Sequence, residues 1–113
     1  MPERIKKINE LIKREINQLL LREINFDNTF VTITDIITST DLKHAKIRIV
    51  TYPENQTEKV FQILEKNIYN IQQGLNKRLH RSIKYVPKIK FEIDRIENNA
   101  QKIEKLLIDD KIK

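Results

Sequence analysis

The chain has 113 residues, with 22 Lys and Arg against 16 Asp and Glu, no cysteine, and 39% hydrophobic residues. This length fits one domain with a single modest core, and the lack of cysteine excludes disulfides and thiolate metal sites. No apolar run is long enough to cross a bilayer, and the first residues, MPERIKKINE, lack the apolar region of a secretory signal. We therefore expect a cytoplasmic protein without membrane contact.

The first predicted element is a helix from about Pro2 to Glu23. An apolar stripe follows it at spacings of three and four residues, formed by Ile5, Ile8, Ile12, Ile16 and Leu19. Four cations lie on the arc beside this stripe: Lys6, Lys7, Lys13 and Arg14. They are most simply solvated charges interleaved with Glu3, Glu10 and Glu15, and the alternative is a secondary ridge that contacts an anion such as nucleic acid.

Two strands are predicted after a turn at residues 25–28, where Asn and Asp tolerate unusual backbone dihedrals. The β-branched run FVTITDIIT predicts a strand at about Phe30 to Thr38, and the alternating run AKIRIVT predicts another at Ala45 to Thr51. Because only residues 39–44 connect them, the two strands should pair as an antiparallel hairpin. Pro53 ends the hairpin, since proline cannot donate a hydrogen bond to a strand ladder.

A long helical pattern begins at about Thr57 and continues to about Ile83. A straight helix of this length would measure roughly 40 Å, which exceeds the expected width of so small a domain. We therefore expect a bend or break within it. Gly74, the only glycine, is the residue predicted to carry the kink, and Asn70 is among the amide residues that weaken the helix around it.

Pro87 separates this helix from a third strand at Lys88 to Asp94, with Ile89, Phe91 and Ile93 pointing inward. A last helix is predicted at about Asn98 to Leu107. The order of elements is therefore helix, strand, strand, helix, helix, strand, helix. It predicts a single α+β domain over residues 1–113, with the helices packed on one face of a three-stranded sheet.

Catalytic motifs are not evident in this sequence. His44 and His80 are far apart and neither lies in a motif, and we find no nucleophile elbow, Walker-type phosphate loop or zinc-ligand spacing. Single carboxylates such as Asp35, Asp41 and Asp94 commonly cap backbone groups beside strands. We expect no enzyme activity, metal, cofactor or small-molecule substrate.

The positive excess of the chain is concentrated in residues 66–91. This stretch contains no acid and seven cations: Lys66, Lys77, Arg78, Arg81, Lys84, Lys88 and Lys90. On a continued helix most of the central four cations, Lys77, Arg78, Arg81 and Lys84, share one face. The start of the second half-helix adds free backbone N–H groups. The stretch predicts a binding site for a polyanion, most plausibly nucleic acid, that contacts phosphates and reads little sequence. A plain solvated basic face, or a surface for an acidic protein partner, is the alternative.

Short motifs over about 100 residues resemble one known family. In chain order they are Arg4-Ile5, Leu19-Leu20, Arg22-Glu23-Ile24, Val31-Thr32-Ile33-Thr34, Ser39-Thr40-Asp41-Leu42, Ala45-Lys46-Ile47, Pro87-x-Ile89-x-Phe91-x-x-Asp94 and Ile103-x-x-Leu106-Leu107. They resemble the ribosome-binding factor A family, which has a type II KH fold. That family bends between two helices at an Ala-x-Gly kink, and the corresponding residues here, about Asn67 to Ile71, contain neither residue. Either Gly74 takes over the bend, or the helix bends less than in the family.

The resemblance implies a function as well as a fold. It implies a non-enzymatic, monomeric factor that binds the immature 30S ribosomal subunit and its 16S rRNA precursor. Such a factor assists late small-subunit maturation and rRNA processing and supports growth in the cold. The same resemblance leaves open an alternative, a basic KH-like adaptor that binds another RNA or an acidic protein.

Overall fold

The computed structural model describes residues 3–94. In chain order its elements are α1 (Glu3–Glu23), β1 (Phe30–Thr38), β2 (His44–Tyr52), α2 (Thr57–Lys66), α3 (Ile68–Leu79) and β3 (Lys88–Ile93), with a short 3-10 helix at Glu54–Gln56 before α2. The predicted first helix and all three predicted strands are confirmed within a residue or two at each end. The helix predicted at Asn98 to Leu107 lies outside the described residues.

The three strands form one mixed sheet with β2 in the centre. β1 pairs with β2 in antiparallel fashion, so that Phe30 lies opposite Tyr52, and the register shifts at a bulge between Ile33 and Asp35. β3 runs parallel to β2 on its other side, with His44 beside Lys88. The helical crossover between these strands makes the parallel pairing possible, because a tight turn can join only antiparallel neighbours.

The helices cover one face of this sheet, as the sequence predicts, and a single apolar core lies between the two layers. α1 contributes its predicted stripe, and hydrogen bonding of Thr38 Oγ1 to Asn9 Oδ1 fixes that helix to β1. The best-buried core residues are Ile12, Ile16, Ile47, Ile49, Leu64, Leu75, Leu79 and Phe91. Within residues 3–94 no helix is both long and apolar enough to cross a membrane.

The long helical pattern breaks at Asn67, between α2 and α3, so the prediction of a break is confirmed but its predicted position at Gly74 and Asn70 is wrong. The Asn67 side chain donates from Nδ2 to the carbonyl oxygen of Ile63 at 2.8 Å. Asparagine side chains compete in this way for backbone groups and so favour helix ends. The break lies at the start of the stretch that the family resemblance assigns to the kink.

Gly74 has a different role, because it lies inside the regular helix α3 where that helix approaches α1. A Cβ atom at this position would come within 2.8 Å of Cδ2 of Leu19. Ile71 and Leu75, which flank the glycine on α3, are both buried in the core. Glycine therefore allows the two helices to pack closely at a point where a larger residue would push them apart.

α3 ends at Leu79, so the predicted continuation of the helix to Ile83 is wrong. The ring nitrogen Nδ1 of His80 lies 2.8 Å from the carbonyl oxygen of Lys77. A continued helix would bond that oxygen to the backbone N–H of Arg81, so the histidine ring takes the place of the next helical hydrogen bond. The backbone N–H groups of Ser82 and Ile83 then both donate to the carbonyl oxygen of Leu79, at 2.9 and 3.0 Å, which closes the turn.

Candidate nucleic-acid interface

The cations of residues 66–91 are distributed over several elements of the fold. Lys66 ends α2, Lys77 and Arg78 occupy the last turn of α3, and Lys88 and Lys90 lie on β3. Arg81 and Lys84 follow the end of α3, so the predicted single helix face for the central four cations is wrong. The start of α3 carries no side-chain cap, and of the seven cations Lys66 is the one adjacent to it in sequence.

Arg78 is tied into the packing of the two long helices. Its Nη1 donates to Oε1 of Glu15 and to Oε1 of Gln18, both at 3.2 Å, and its side chain is only 25% exposed. Glu15 also pairs with Nε of Arg14 at 3.2 Å. The guanidinium of Arg78 thus joins α3 to α1, and this contact gives it a structural role that its sequence position does not reveal.

Lys90 points away from the helices, onto the open face of the sheet, whereas Lys88, at the start of β3, also lines the cleft described below. The strand register places them beside His44 and Lys46 of β2. Further along the same face Glu92 lies 3.6 Å from Nζ of Lys46. This face is therefore of mixed sign, with cations at the end where β2 and β3 begin.

A cleft of about 1230 Å³ gathers cations from separate parts of the chain. It lies between the first half of α1, the β1–β2 loop, the middle of α3 and the loop that leads into β3. Five cations line it, and we call it the basic cleft: Arg4, Lys7, Lys43, Lys84 and Lys88. Among its described lining residues Asp41 is the single acid.

Hydrogen bonds of the backbone and of the Gln72 side chain hold the walls of the basic cleft in place. The backbone N–H of Lys88 donates to the carbonyl oxygen of Lys43 at 2.9 Å, which joins the β1–β2 loop to the start of β3. Gln72 of α3 donates from Nε2 to the carbonyl oxygen of Pro87 at 3.1 Å and accepts the N–H of Ile89 at 2.9 Å. These bonds bring Lys43, Lys88 and α3 together although they are distant in sequence.

Asp41, the single acid among the described lining residues of the cleft, is hydrogen-bonded within its own loop. The hydroxyl of Ser39 donates to Oδ1 of Asp41 at 2.6 Å, and the backbone N–H of Lys43 donates to the same oxygen at 3.0 Å. These hydrogen bonds, the first above all, lower the pKa of Asp41 below its ordinary value. Between these partners Leu42 adopts a left-handed backbone with φ of 63°, which turns the loop toward the cleft.

Lys84 stands beside an exposed aromatic ring at the mouth of the cleft. Its Nζ lies 5.6 Å from the centroid of the Tyr85 ring, and the tyrosine is 74% exposed. A cation–π contact of this kind positions the ammonium group without neutralising it. Lys84 therefore keeps its full charge for an incoming anion.

The predicted secondary ridge on α1 is divided by the fold. Lys7 lines the basic cleft, whereas Lys6 and Lys13 are displaced from it around the helix by about 100° or more, toward the side of Asn9. Arg14 is not among the residues that line the cleft, and its guanidinium pairs with the neighbouring Glu15. Of the four cations on the ridge, the fold therefore brings one to the cleft.

The sequence-based prediction of the basic segment, residues 66–91, does not include two of the cations that line the cleft. Arg4 lies in the first turn of α1, and Lys43 lies in the loop between β1 and β2. No spacing along the chain relates either of them to Lys84. Only the packing of α1 and of the β1–β2 loop brings them near it, so the sequence offers no local signal that could have found them.

The histidines and carboxylates of the described region form no evident reaction centre. Within residues 3–94 no group of three or more His, Asp or Glu residues is arranged to hold a metal ion. His44 is exposed at the start of β2, and His80 bonds the end of α3. The feature that stands out chemically is the basic cleft, a concave surface suited to an anionic ligand.

Comparison with known proteins places this architecture in a family. A family model described as ribosome-binding factor A matches residues 4–107. The ribosome-binding factor A of Coprothermobacter proteolyticus is 34% identical over 109 residues, covering 96% of this chain and 78% of that protein. That of Halothermothrix orenii is 31% identical over 107 residues, covering 93% and 86%.

A solved structure agrees with this relation at the level of the fold. The crystal structure of ribosome-binding factor A from Thermus thermophilus superposes with a TM-score of 0.62 at 15% identity, covering 80% of this chain and 96% of that one. The expectation drawn from the short sequence motifs is confirmed, since the family model spans nearly the whole chain. The chain belongs to the ribosome-binding factor A family.

Proposed function

We propose that this protein binds the immature 30S ribosomal subunit through its 16S rRNA precursor and assists late maturation and rRNA processing. Membership of the ribosome-binding factor A family supports the ribosome as the target. The basic cleft is the structural observation that carries the proposal. Its five cations and single acid, drawn from four parts of the chain, form a concave positive surface that suits an RNA backbone.

The cleft would act by holding RNA rather than by changing it chemically. Lys7, Lys43 and Lys84 are exposed, and among residues 3–94 none of them forms an ion pair. Each can therefore neutralise a phosphate and release a counterion. Lys66, Lys77, Arg78, Arg81 and Lys90 do not line the cleft, and their predicted contacts with RNA stay a prediction.

We infer a non-enzymatic, monomeric and cytoplasmic factor on the same grounds. A folded cation surface that grips phosphates stabilises one arrangement of RNA strands over its competitors. This help matters most in the cold, where misfolded RNA rearranges slowly, and we therefore propose a role in cold growth.

Sedimentation with separated ribosomal particles tests the proposal. The protein should travel with immature small subunits, and substitution of Lys7, Lys43 and Lys84 by Ala should move it to the top of the gradient. Equal sedimentation with large subunits would contradict a small-subunit role. If a nuclease-treated lysate still yields a bound acidic protein, the alternative of a protein adaptor is favoured instead.

A further inference from the structure

We propose that the basic cleft binds one unstacked base of an RNA strand, in addition to its phosphates, and so selects single-stranded over duplex RNA. This inference rests on the proposed function, because it names the form of RNA that the same site accepts. The cleft is lined on α3 by Gln72 and Asn76, and Asn67, where the helices break, does not line it. It is thus a contact separate from the helix junction.

The floor of the cleft is apolar, which a purely ionic site would not need. Ile8 is buried, and Leu11, Leu42, Ile83 and Val86 are half-buried and packed against the core. Moving a phosphate onto such a floor would strip its hydration without replacing it. A nucleobase has two apolar faces and a polar edge, so it can cover these side chains while its phosphates stay at the rim.

Tyr85 provides an aromatic ring beside these apolar side chains. It is 74% exposed, so it contributes little to the core, and Lys84 is positioned over it. Aromatic side chains beside a cationic track are the usual platforms on which single-stranded bases stack. Tyr85 is therefore the residue we expect to stack on the bound base.

Charge also favours a nucleotide in this cleft. The cations come from α1, from both loops and from the start of β3, so positive and apolar side chains line the same cleft. A base inside a duplex could reach the floor only after unpairing, and this cost disfavours duplex RNA.

The test compares two probes that carry the same phosphates, a short single-stranded RNA and an abasic strand of equal length. The protein should bind the base-bearing strand about tenfold more tightly. Tyr85→Ala should remove most of this difference and leave the salt dependence unchanged. Tyr85→Phe, which keeps the ring, and Tyr69→Ala, which removes a tyrosine that is 71% exposed outside the cleft, should both behave as wild type.

A fluorescent base analogue gives a direct readout. Emission of 2-aminopurine within the strand should be quenched by the wild type and by Tyr85→Phe, but not by Tyr85→Ala. Equal affinity for the two strands, with binding still lost when the cleft lysines are replaced, would overturn base recognition and leave the proposed function standing. Failure of the wild type to bind either strand or the small subunit would overturn both.

Discussion

The charge of the basic cleft can be tested by how RNA affinity responds to salt. Each phosphate contact to a single strand contributes about −0.7 to the slope of log affinity against log salt concentration, so five cations predict a slope of about −3.5. Between 50 and 200 mM salt the wild type should therefore lose about 130-fold in affinity. Replacing Lys7, Lys43 and Lys84 by Ala leaves two cleft cations, a slope of about −1.4 and a loss of about sevenfold.

A matched variant separates the cleft from the basic segment of the sequence. Lys66, Lys77 and Arg81 are also exposed and positive, but they do not line the cleft. Their replacement by Ala removes the same charge from the protein and should leave the slope near that of the wild type. Fluorescence anisotropy with labelled single-stranded RNA measures both variants across the salt range, and thermal unfolding checks that both remain folded.

The comparison can refute the reasoning in two ways. If both triple variants lower the slope equally, net charge governs binding and the cleft has no special role. If only the variant outside the cleft lowers it, the cations predicted from the linear sequence form the RNA contact and the cleft does not. A wild-type affinity that is flat across the salt range would show that phosphates are not the main contact.

Three further changes test other parts of the structure. Gly74→Ala should lower the free energy of unfolding by about 1 kcal/mol in urea titrations, because overpacking against Leu19 outweighs the helix propensity that alanine adds; a gain in stability would show that α1 and α3 can move apart. Arg78→Ala should cost about 1–2 kcal/mol in the same assay, since it leaves the half-buried Glu15 with fewer donors, and an unchanged value would remove its structural role. Asp41→Asn should raise RNA affinity about twofold by removing the one acid of the cleft, and weaker binding would mean that the carboxylate orients the loop.

The lowered pKa of Asp41 adds a prediction on acid stability. Because the folded value lies below the ordinary one, the hydrogen-bonded carboxylate contributes stability above the ordinary aspartate pKa. That contribution is lost as the pH falls through the lowered value. Asp41→Asn should reduce the pH dependence of unfolding in this acid range, and an unchanged profile would contradict the role of the Ser39 hydrogen bond.

Local sequence patterns were sufficient for α1, for the three strands and for the family. The stripe of α1 and the alternation of β2 are recorded in residues a few positions apart, and they report which face each element buries. They also predict which strand residues lie on the open sheet face, because strand residues alternate between the two sides. The left-handed backbone of Asp27 and Asn28 likewise follows from local chemistry, and the predicted turn is confirmed.

The break in the long helix shows where local reasoning fails. Glycine is the weakest helix former apart from proline, so Gly74 was the natural choice for the kink. The structure uses it instead to admit Leu19, a contact between residues far apart in the chain. The Asn67 side chain ends α2 by donating a hydrogen bond to the carbonyl oxygen of Ile63, four residues earlier. This signal is local, but several nearby residues also have amide side chains, so the sequence does not single out Asn67.

What the sequence determined by itself was therefore the order of elements, the buried side of each and the membership of the family, since all of these depend on neighbouring residues. Only the tertiary structure decided which cations act together, because the packing of α1 on α3 and the bond between Lys43 and Lys88 join distant parts of the chain. Like charges that are close together in the sequence repel one another, whereas cations from different walls of the cleft can bind the same RNA. The packing of those walls sets the position of the cleft.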